Sequence, residues 1–297
     1  MTTLLKNLNS QFGLANTLRF VEVGAELPAV EISSPLGSAR IALQGAHVLA
    51  WQPTGQQPVL WVSKAALFEP GKPIRGGVPV CWPWFGANEG LPAHGFVRTR
   101  LWQVRQTSIE VDGEVVLRLG ISDDASTRAL WDYAFDLELV VRVGACLSME
   151  LITRNTGLKQ FTITDALHTY FSVGDITQTC VRGLDGCNYL DRMQNMALTR
   201  QTGVVTVTGE TDRIYIDTRD VCLIDDLAGQ RVIRVAKTGS TSTVVWNPWS
   251  EREKAFADMT AGEHREMLCV ETCNAGADQI SLMPGGSHTL HAMISIA

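Results

Sequence analysis

Apolar and polar residues alternate with a period of two along most of the chain, the spacing of strands that bury one face. Ala39 to Trp51 reads as one strand with Gly45 as a bulge. Leu101 to Ile109 and Val115 to Ile121 flank Asp112-Gly113, a dipeptide suited to the positive φ of a tight hairpin turn. Phe135 to Val143 and Cys146 to Arg154 flank Gly144 in the same way, and Asn155-Thr156-Gly157 closes the second strand. Phe161 to Val173, Gly203 to Val207, Arg213 to Asp217 and Val221 to Ile224 are expected to be extended. So are Arg231 to Ala236, Thr243 to Trp246, Met267 to Thr272 and Leu290 to Ile296. Helical periodicity is confined to Thr3 to Phe12 and Ser250 to Asp258. Many strands separated by Gly, Asp and Asn turns predict an all-β fold, a large antiparallel β-sandwich with a few short helices. No repeat, low-complexity tract or linker interrupts the chain, so residues 1–297 are expected to form a single domain.

The 297 residues are 45% apolar and 19% charged, enough to bury a substantial core and far from a disordered composition. A net charge of −6 repels nucleic acid and anionic membranes, so an anionic substrate would need a local cluster of arginines. The seven cysteines are odd in number and form no Cys-x-x-Cys pair. That is unlike a disulfide framework or a thiolate zinc site, and it suits a reducing cytosol. Lys6, Asn7, Asn9 and Gln11 interrupt the first twenty residues, leaving no signal-peptide core. No run approaches the ~20 apolar residues of a membrane helix. A cytoplasmic protein is the expectation. Dinucleotide and Walker loops, Gly-x-Ser-x-Gly and His-Glu-x-x-His are all absent. His288 and His291 lie three apart on an expected strand, on opposite faces, and are not placed to share a metal. No nucleotide, flavin or metal cofactor is implied.

Five segments carry polar residues where the local pattern does not call for them, a sign that accompanies function. Pro73 to Gly86, with Arg75 among prolines and glycines and three large aromatics behind it, is too irregular for a strand and too apolar for a solvated loop. Arg75 there suits an anion clamp. His94-Gly95-Phe96-Val97-Arg98 continues to Arg100, and on a strand these residues would place His94, Phe96, Arg98 and Arg100 on one face. In Asp165 to Phe171, His168 alternates with Ala166 and Tyr170. Glu210 to Tyr215 reads as a turn entering a strand, with Asp212 in it. In Met267 to Cys273, Glu271 sits mid-strand among residues that favour burial. A carboxylate buried without partners costs several kcal/mol, so Glu271 must be paired, protonated or functional.

In this order and spacing the segments resemble the hexose-6-phosphate mutarotase branch of the aldose 1-epimerase family. The most specific stretches are Val245-Trp246-Asn247-Pro248-Trp249-Ser250, then Ala257-Asp258-Met259, then Cys269-Val270-Glu271, together with Ile74-Arg75-Gly76-Gly77-Val78-Pro79. The resemblance spans roughly Arg75 to Asn274. It implies the galactose mutarotase-like supersandwich with an open cleft, His168 as general acid and Glu271 as general base. It also implies Arg75 and Arg98 as basic substrate contacts, Asp212 as a sugar contact, and His94 beside them. Some relatives carry Gln just before His-Gly-Phe, where this chain has Ala93, so that side-chain contact is missing here or supplied elsewhere.

The implied substrate is a hexose phosphate, and the implied chemistry fits the residue types. Anomers interconvert when one group removes the anomeric hydroxyl proton and another protonates the ring oxygen, with each step reversed on closure. A mutarotase for unphosphorylated aldoses is the main alternative, and a non-catalytic carbohydrate-binding protein on the same fold is the third. A monomer or weak homo-oligomer is expected.

Overall fold

The structure, a computed structural model, describes residues 2–24, 26–219 and 221–297. Its strands form a nine-stranded sheet, an eight-stranded sheet, a four-stranded sheet and a two-stranded ribbon, with antiparallel pairing in each. The nine-stranded sheet runs from Val205–Thr206 through Thr179–Arg182, Cys222–Asp226, Arg231–Thr238, Ser287–Ile296, Leu147–Asn155, Phe135–Val143 and Val115–Ser122 to Gln103–Ile109. Its strands alternate as the sequence suggests: Leu147, Met149 and Leu151 are buried in the main core while Ser148 and Glu150 stay partly exposed.

The eight-stranded sheet has the order Ala197–Arg200, Asn188–Asp191, Thr211–Tyr215, Ser242–Asn247, Met267–Asn274, Asp165–Leu167 and Val80–Cys81, and Tyr170–Ser172 also pairs with Met267–Asn274. Its Leu167, Phe171, Tyr215, Val245, Leu268 and Val270 join the same core as the nine-stranded sheet. Every residue of the Met267–Asn274 strand is buried, because its second face is covered as well. On that face Met267 and Cys269 pack with Trp61, Tyr170 and Met259, and Cys273 packs with Cys81, Ala166, Ile214 and Val244. Glu271 lies on this second face by strand alternation. The four-stranded meander Leu18–Val23, Leu27–Ser34, Gly37–Ala42 and His47–Pro53 adds Phe20, Val30, Ile32, Ile41 and Trp51 to the main core.

The helix Thr3–Phe12 has the boundaries its periodicity predicts. Thr2 caps it by accepting the Leu5 amide proton, as N-cap hydroxyls do, and the Asn9 side chain ties it to both backbone groups of Phe20. Other expectations fail for identifiable reasons. Ala39 to Trp51 is a hairpin rather than one strand: Gly45 and Ala46 both take positive φ at its turn, and the register shift falls at Arg40/Ile41. Phe161 to Val173 is broken into Phe161–Ile163, Asp165–Leu167 and Tyr170–Ser172. The helix expected over Ser250 to Asp258 is only Trp249–Glu253. The Glu253 carboxylate accepts from the amides of Gly262 and His264, and the Glu263 carboxylate from those of Lys64 and Thr260, so both hold the following residues in a loop.

His94 to Arg100 is not a strand. His94 takes a φ of 63°, and Val97–Thr99 is a 3-10 turn. Arg98 therefore turns back to the Ala93 carbonyl, while Arg100 donates to Ser126 and lies over the Phe96 ring. The two arginines do not act together, and Phe96 is part of the core.

Candidate active site

The pairing of two strands sets the centre of the site. Ala166 pairs with Cys273 and Tyr170 with Cys269. Counted inward from either pair, His168 falls opposite Glu271. The ladder opens at this point, since His168 donates its amide proton to Pro79 and Thr169 donates to Leu167. The side chains meet in the opening, with His168 Nε2 3.4 Å from Glu271 Oε1.

The loop from Ile74 to Pro79 pins this geometry. Tyr170 donates its amide proton to the Gly77 carbonyl, and the Ser63 amide donates to that of Arg75. Gly76 and Gly77 have φ of 106° and 63°, and a Cβ on either would lie 2.4 Å from neighbouring backbone, at Trp61 and Val48 respectively. Only glycine fits both the conformation and the space. The run Ile74-Arg75-Gly76-Gly77 thus brings Arg75 over the sheet edge. Its guanidinium donates to Asp258 Oδ2 at 3.2 Å and to the Tyr170 hydroxyl at 3.3 Å, and lies 4.4 Å from the Phe256 ring centre. Burial works against the charge, but Tyr170 and Asp258 more than offset it, so Arg75 holds its proton more tightly than usual.

The imidazole of His168 stacks on Tyr170 at 4.9 Å between ring centres and meets His94, Phe85 and Trp246 edge-on. Burial, then His94, then the charges of Arg98 and Arg75 push its proton affinity well below the ordinary histidine value. Glu271 is 1% exposed. Burial and then Asp212 raise its pKa well above the carboxylate range, and Arg192 opposes them. Both groups therefore favour their neutral forms. A general acid at His168 needs an imidazolium, which desolvation disfavours here. His168 Nδ1 and Glu271 Oε2 are buried with no hydrogen-bond partner among the described residues.

The remaining expected residues converge on this pair. His94 has its ring 5.7 Å from that of His168. Burial, then Arg98, Arg192 and Arg75, push its pKa down to about 3, and its Nδ1 is also buried without a partner. Arg98 is close enough for its charge to act on both histidines. The side-chain contact absent at Ala93 is not replaced by another side chain at that position; its carbonyl accepts from Arg98 at 2.8 Å. Asp212 lies on the cross-strand row Asp212–Trp246–Cys269–Tyr170 and pairs with Arg192 at 3.4 Å.

Arg192 is a site residue that sequence reasoning missed. It follows the strand Asn188–Asp191 in a polar stretch that reads as surface, and only the sheet order brings it beside Asp212 and over Phe85. Asp258 and Tyr170 were visible as motif members but carried no assigned role. Asn247 in the Trp-Asn-Pro-Trp motif is structural. Its buried amide donates to the carbonyls of His264 and Met267 and accepts from the Trp249 amide, which fixes the start of the Glu271 strand.

Metal-ligand types are less scattered than the sequence suggests. Donor atoms of His168, Cys269 and Glu271 lie within 4.8 Å of one another. His288 and His291 stay apart, bonded to Asn274 and Ser148. A groove of about 670 Å³ beside Arg19, Glu31, Arg40 and Trp51 is elsewhere, on the four-stranded meander, and holds none of these groups.

The aldose 1-epimerase family pattern matches residues 28–295. The chain belongs to the aldose 1-epimerase family. It is accordingly an isomerase. An Escherichia coli (strain K12) relative named "Putative glucose-6-phosphate 1-epimerase" is 38% identical over 86% of this chain and 85% of its own length. The crystal structure of a "putative mutarotase" from Salmonella typhimurium is 31% identical, covers 99% of both chains and superposes with a TM-score of 0.90. A galactose mutarotase-like protein from Clostridium acetobutylicum, at 14% identity and a TM-score of 0.76, shares the fold. The expected antiparallel supersandwich is thereby borne out.

Proposed function

We propose that this aldose 1-epimerase is a glucose-6-phosphate 1-epimerase that interconverts the α and β anomers of D-hexose 6-phosphates, with His168 and Glu271 as its acid–base pair. The opposition of His168 and Glu271 at 3.4 Å, under the cationic rim of Arg75 and Arg98, carries this reading. The names of the relatives support it.

Glu271 as carboxylate takes the proton from the anomeric hydroxyl, and His168 as imidazolium gives one to the ring oxygen. The bond from the anomeric carbon to the ring oxygen breaks, the aldehyde end rotates, and closure reverses both transfers. The neutral pair and the charged pair that acts contain the same number of protons, and differ only in which partner holds one. Burial above all, then His94 and to a smaller degree Arg98 and Arg75, favours a neutral His168. A bound phosphate offsets the charges of Arg75 and Arg98 and so removes part of what opposes an imidazolium at His168. Phosphate recognition and catalysis are coupled in this way. Asp212 and His94 face the sugar hydroxyls, the latter as a neutral imidazole.

The anomeric carbon keeps its oxidation level through ring opening and closure, so the reaction asks for no redox cofactor. Residues 1–297 act as one domain, a cytoplasmic enzyme and a monomer or weak homo-oligomer. The net charge of −6 gives nucleic acid no docking field. Anomerisation of glucose 6-phosphate and of glucose, measured side by side, tests the reading. A clear preference for the phosphate ester is expected. Equal rates favour the free-sugar alternative, and no catalysis of either leaves a binding protein.

A further inference from the structure

Glu271 and Cys269 are two residues apart on one strand and project from the same face, and His168 stands opposite on the neighbouring strand. Donor atoms from these three side chains, one nitrogen, one sulfur and one oxygen, lie within 4.8 Å of one another. The acid–base reading uses the nitrogen and the oxygen and gives the sulfur no task. Glu271 Oε2 and His168 Nδ1 are buried with no hydrogen-bond partner among the described residues, so the pocket holds polar atoms with unused bonding capacity. Cys269 and Glu271 are 0% and 1% exposed, while the His168 side chain keeps 12% exposure. The cluster is therefore closed by protein on the strand side and open towards the cleft.

We propose that His168, Cys269 and Glu271 form an inhibitory site for a borderline-soft divalent cation of the zinc class. Nitrogen, thiolate and carboxylate are the donors that zinc accepts, at about 2.0–2.3 Å, and three protein ligands with a fourth open position are a common arrangement. Such lengths separate tetrahedral donors by about 3.3–3.6 Å. The three atoms thus need to draw together by an ångström or so, which torsions of Glu271 and His168 provide. Harder ions such as magnesium and calcium prefer all-oxygen shells and are excluded by the donor set. The thiol proton of Cys269 and the carboxyl proton of Glu271 pass to solvent as the bonds from the metal to sulfur and oxygen form. The bound ion occupies the lone pairs of His168 and Glu271 and its open position faces the cleft, so it competes with the sugar. The inhibitory consequence rests on the acid–base reading above, but the binding does not.

Zinc binding is measured by calorimetry and, with cobalt as the spectroscopic probe, by the thiolate-to-metal charge-transfer band. One ion per chain and a cobalt band are expected for the wild type and for Cys180→Ala, which removes a thiol of another sheet. Cys269→Ala is expected to lose the band and at least tenfold in zinc affinity. Glu271→Gln is expected to keep the band and also bind zinc at least tenfold more weakly, which gives an independent arm if Cys269→Ala fails to fold. Activity of the wild type should fall with zinc, return with chelator, and be protected by glucose 6-phosphate. Absence of wild-type binding, a cobalt band persisting in Cys269→Ala, or unchanged zinc affinity in Glu271→Gln overturns the proposal. Stoichiometric zinc binding without inhibition would leave the site standing and count against the acid–base reading instead.

Discussion

His168 and Glu271 occupy opposite positions of one antiparallel register, at the point where the backbone ladder between their strands is interrupted, and their side chains close the gap at 3.4 Å. A regular ladder here would fix the backbones but leave no opening towards the cleft. Diverting the His168 amide proton to Pro79 keeps that group satisfied while the imidazole turns to the carboxyl.

Glu271→Gln and His168→Asn are each expected to lower kcat by 10²-fold or more, the usual contribution of one general acid or base. Stability should change little, because burial already favours neutral Glu271 and His168 and the replacements are neutral and close in shape. Steady-state kinetics and thermal melting check this. Activity within a few-fold of wild type would remove that residue from the mechanism.

Arg75→Ala and Arg98→Ala should weaken glucose 6-phosphate far more than glucose. One lost charge-assisted hydrogen bond costs ~1.5–3 kcal/mol, or roughly tenfold to a hundredfold in kcat/KM. Asp258→Asn should show a smaller effect of the same kind, since Asp258 holds the Arg75 guanidinium at 3.2 Å and does not itself face the phosphate. Equal losses for both sugars would assign these side chains to the fold or to hydroxyl binding.

The activity profile should be a broad bell with a long plateau. The competent pair carries one proton in total. Activity is lost on the acid side when His168 gains a proton while Glu271 keeps its own, and on the alkaline side when both are empty. Burial moves the first event below the ordinary imidazole value and the second above the ordinary carboxylate value, and the plateau lies between them. kcat/KM reports these free-enzyme ionisations, and repeating it with glucose removes the phosphate's own ionisation near pH ~6. A narrow optimum centred on an unperturbed histidine would contradict the burial-driven shifts.

Asp165 should make the protein less stable as pH rises from ~4 to about 7. Its carboxyl is buried, with no oxygen in hydrogen-bonding geometry, and burial pushes its pKa up to about 7 despite the nearby amides of Asn274 and Asp165 itself. Below pH ~4 both folded and unfolded chains hold this proton. Between pH ~4 and ~7 only the folded chain does, so each rise in pH favours unfolding. The full penalty, present above the folded value, is about 4 kcal/mol at 1.36 kcal/mol per unit. Urea unfolding of wild type and Asp165→Asn at pH 4 and pH 8 measures it. The variant should gain relative to wild type at the higher pH, and equal differences at both would refute the shift.

Prolonged dialysis against a strong chelator should leave the rate unchanged in metal-free buffer, since proton transfer between two side chains and the sugar needs no Lewis acid. Loss of activity restored only by a divalent ion would make the acid–base pair an incomplete account.

The sequence by itself determined the fold class, because alternation with Gly, Asp and Asn turns is a local signal that each strand carries alone. Phe135–Val143 and the helix Thr3–Phe12 were legible to the residue. It also exposed Glu271, since a carboxylate in an apolar strand conflicts with its own neighbours. What tertiary structure decided was everything that depends on register or on loop closure. Whether His168 faces Glu271 depends on strand pairing between residues a hundred positions apart, and no local pattern encodes it. Arg192 resembles any surface arginine until the Asn188–Asp191 strand is placed beside Thr211–Tyr215. Arg98 and Arg100 looked equivalent by alternation, and the positive φ of His94 with the turn that follows it separated them. The direction of the His168 and Glu271 shifts was equally out of reach, because desolvation is a property of the packed cleft and not of the residues that line it.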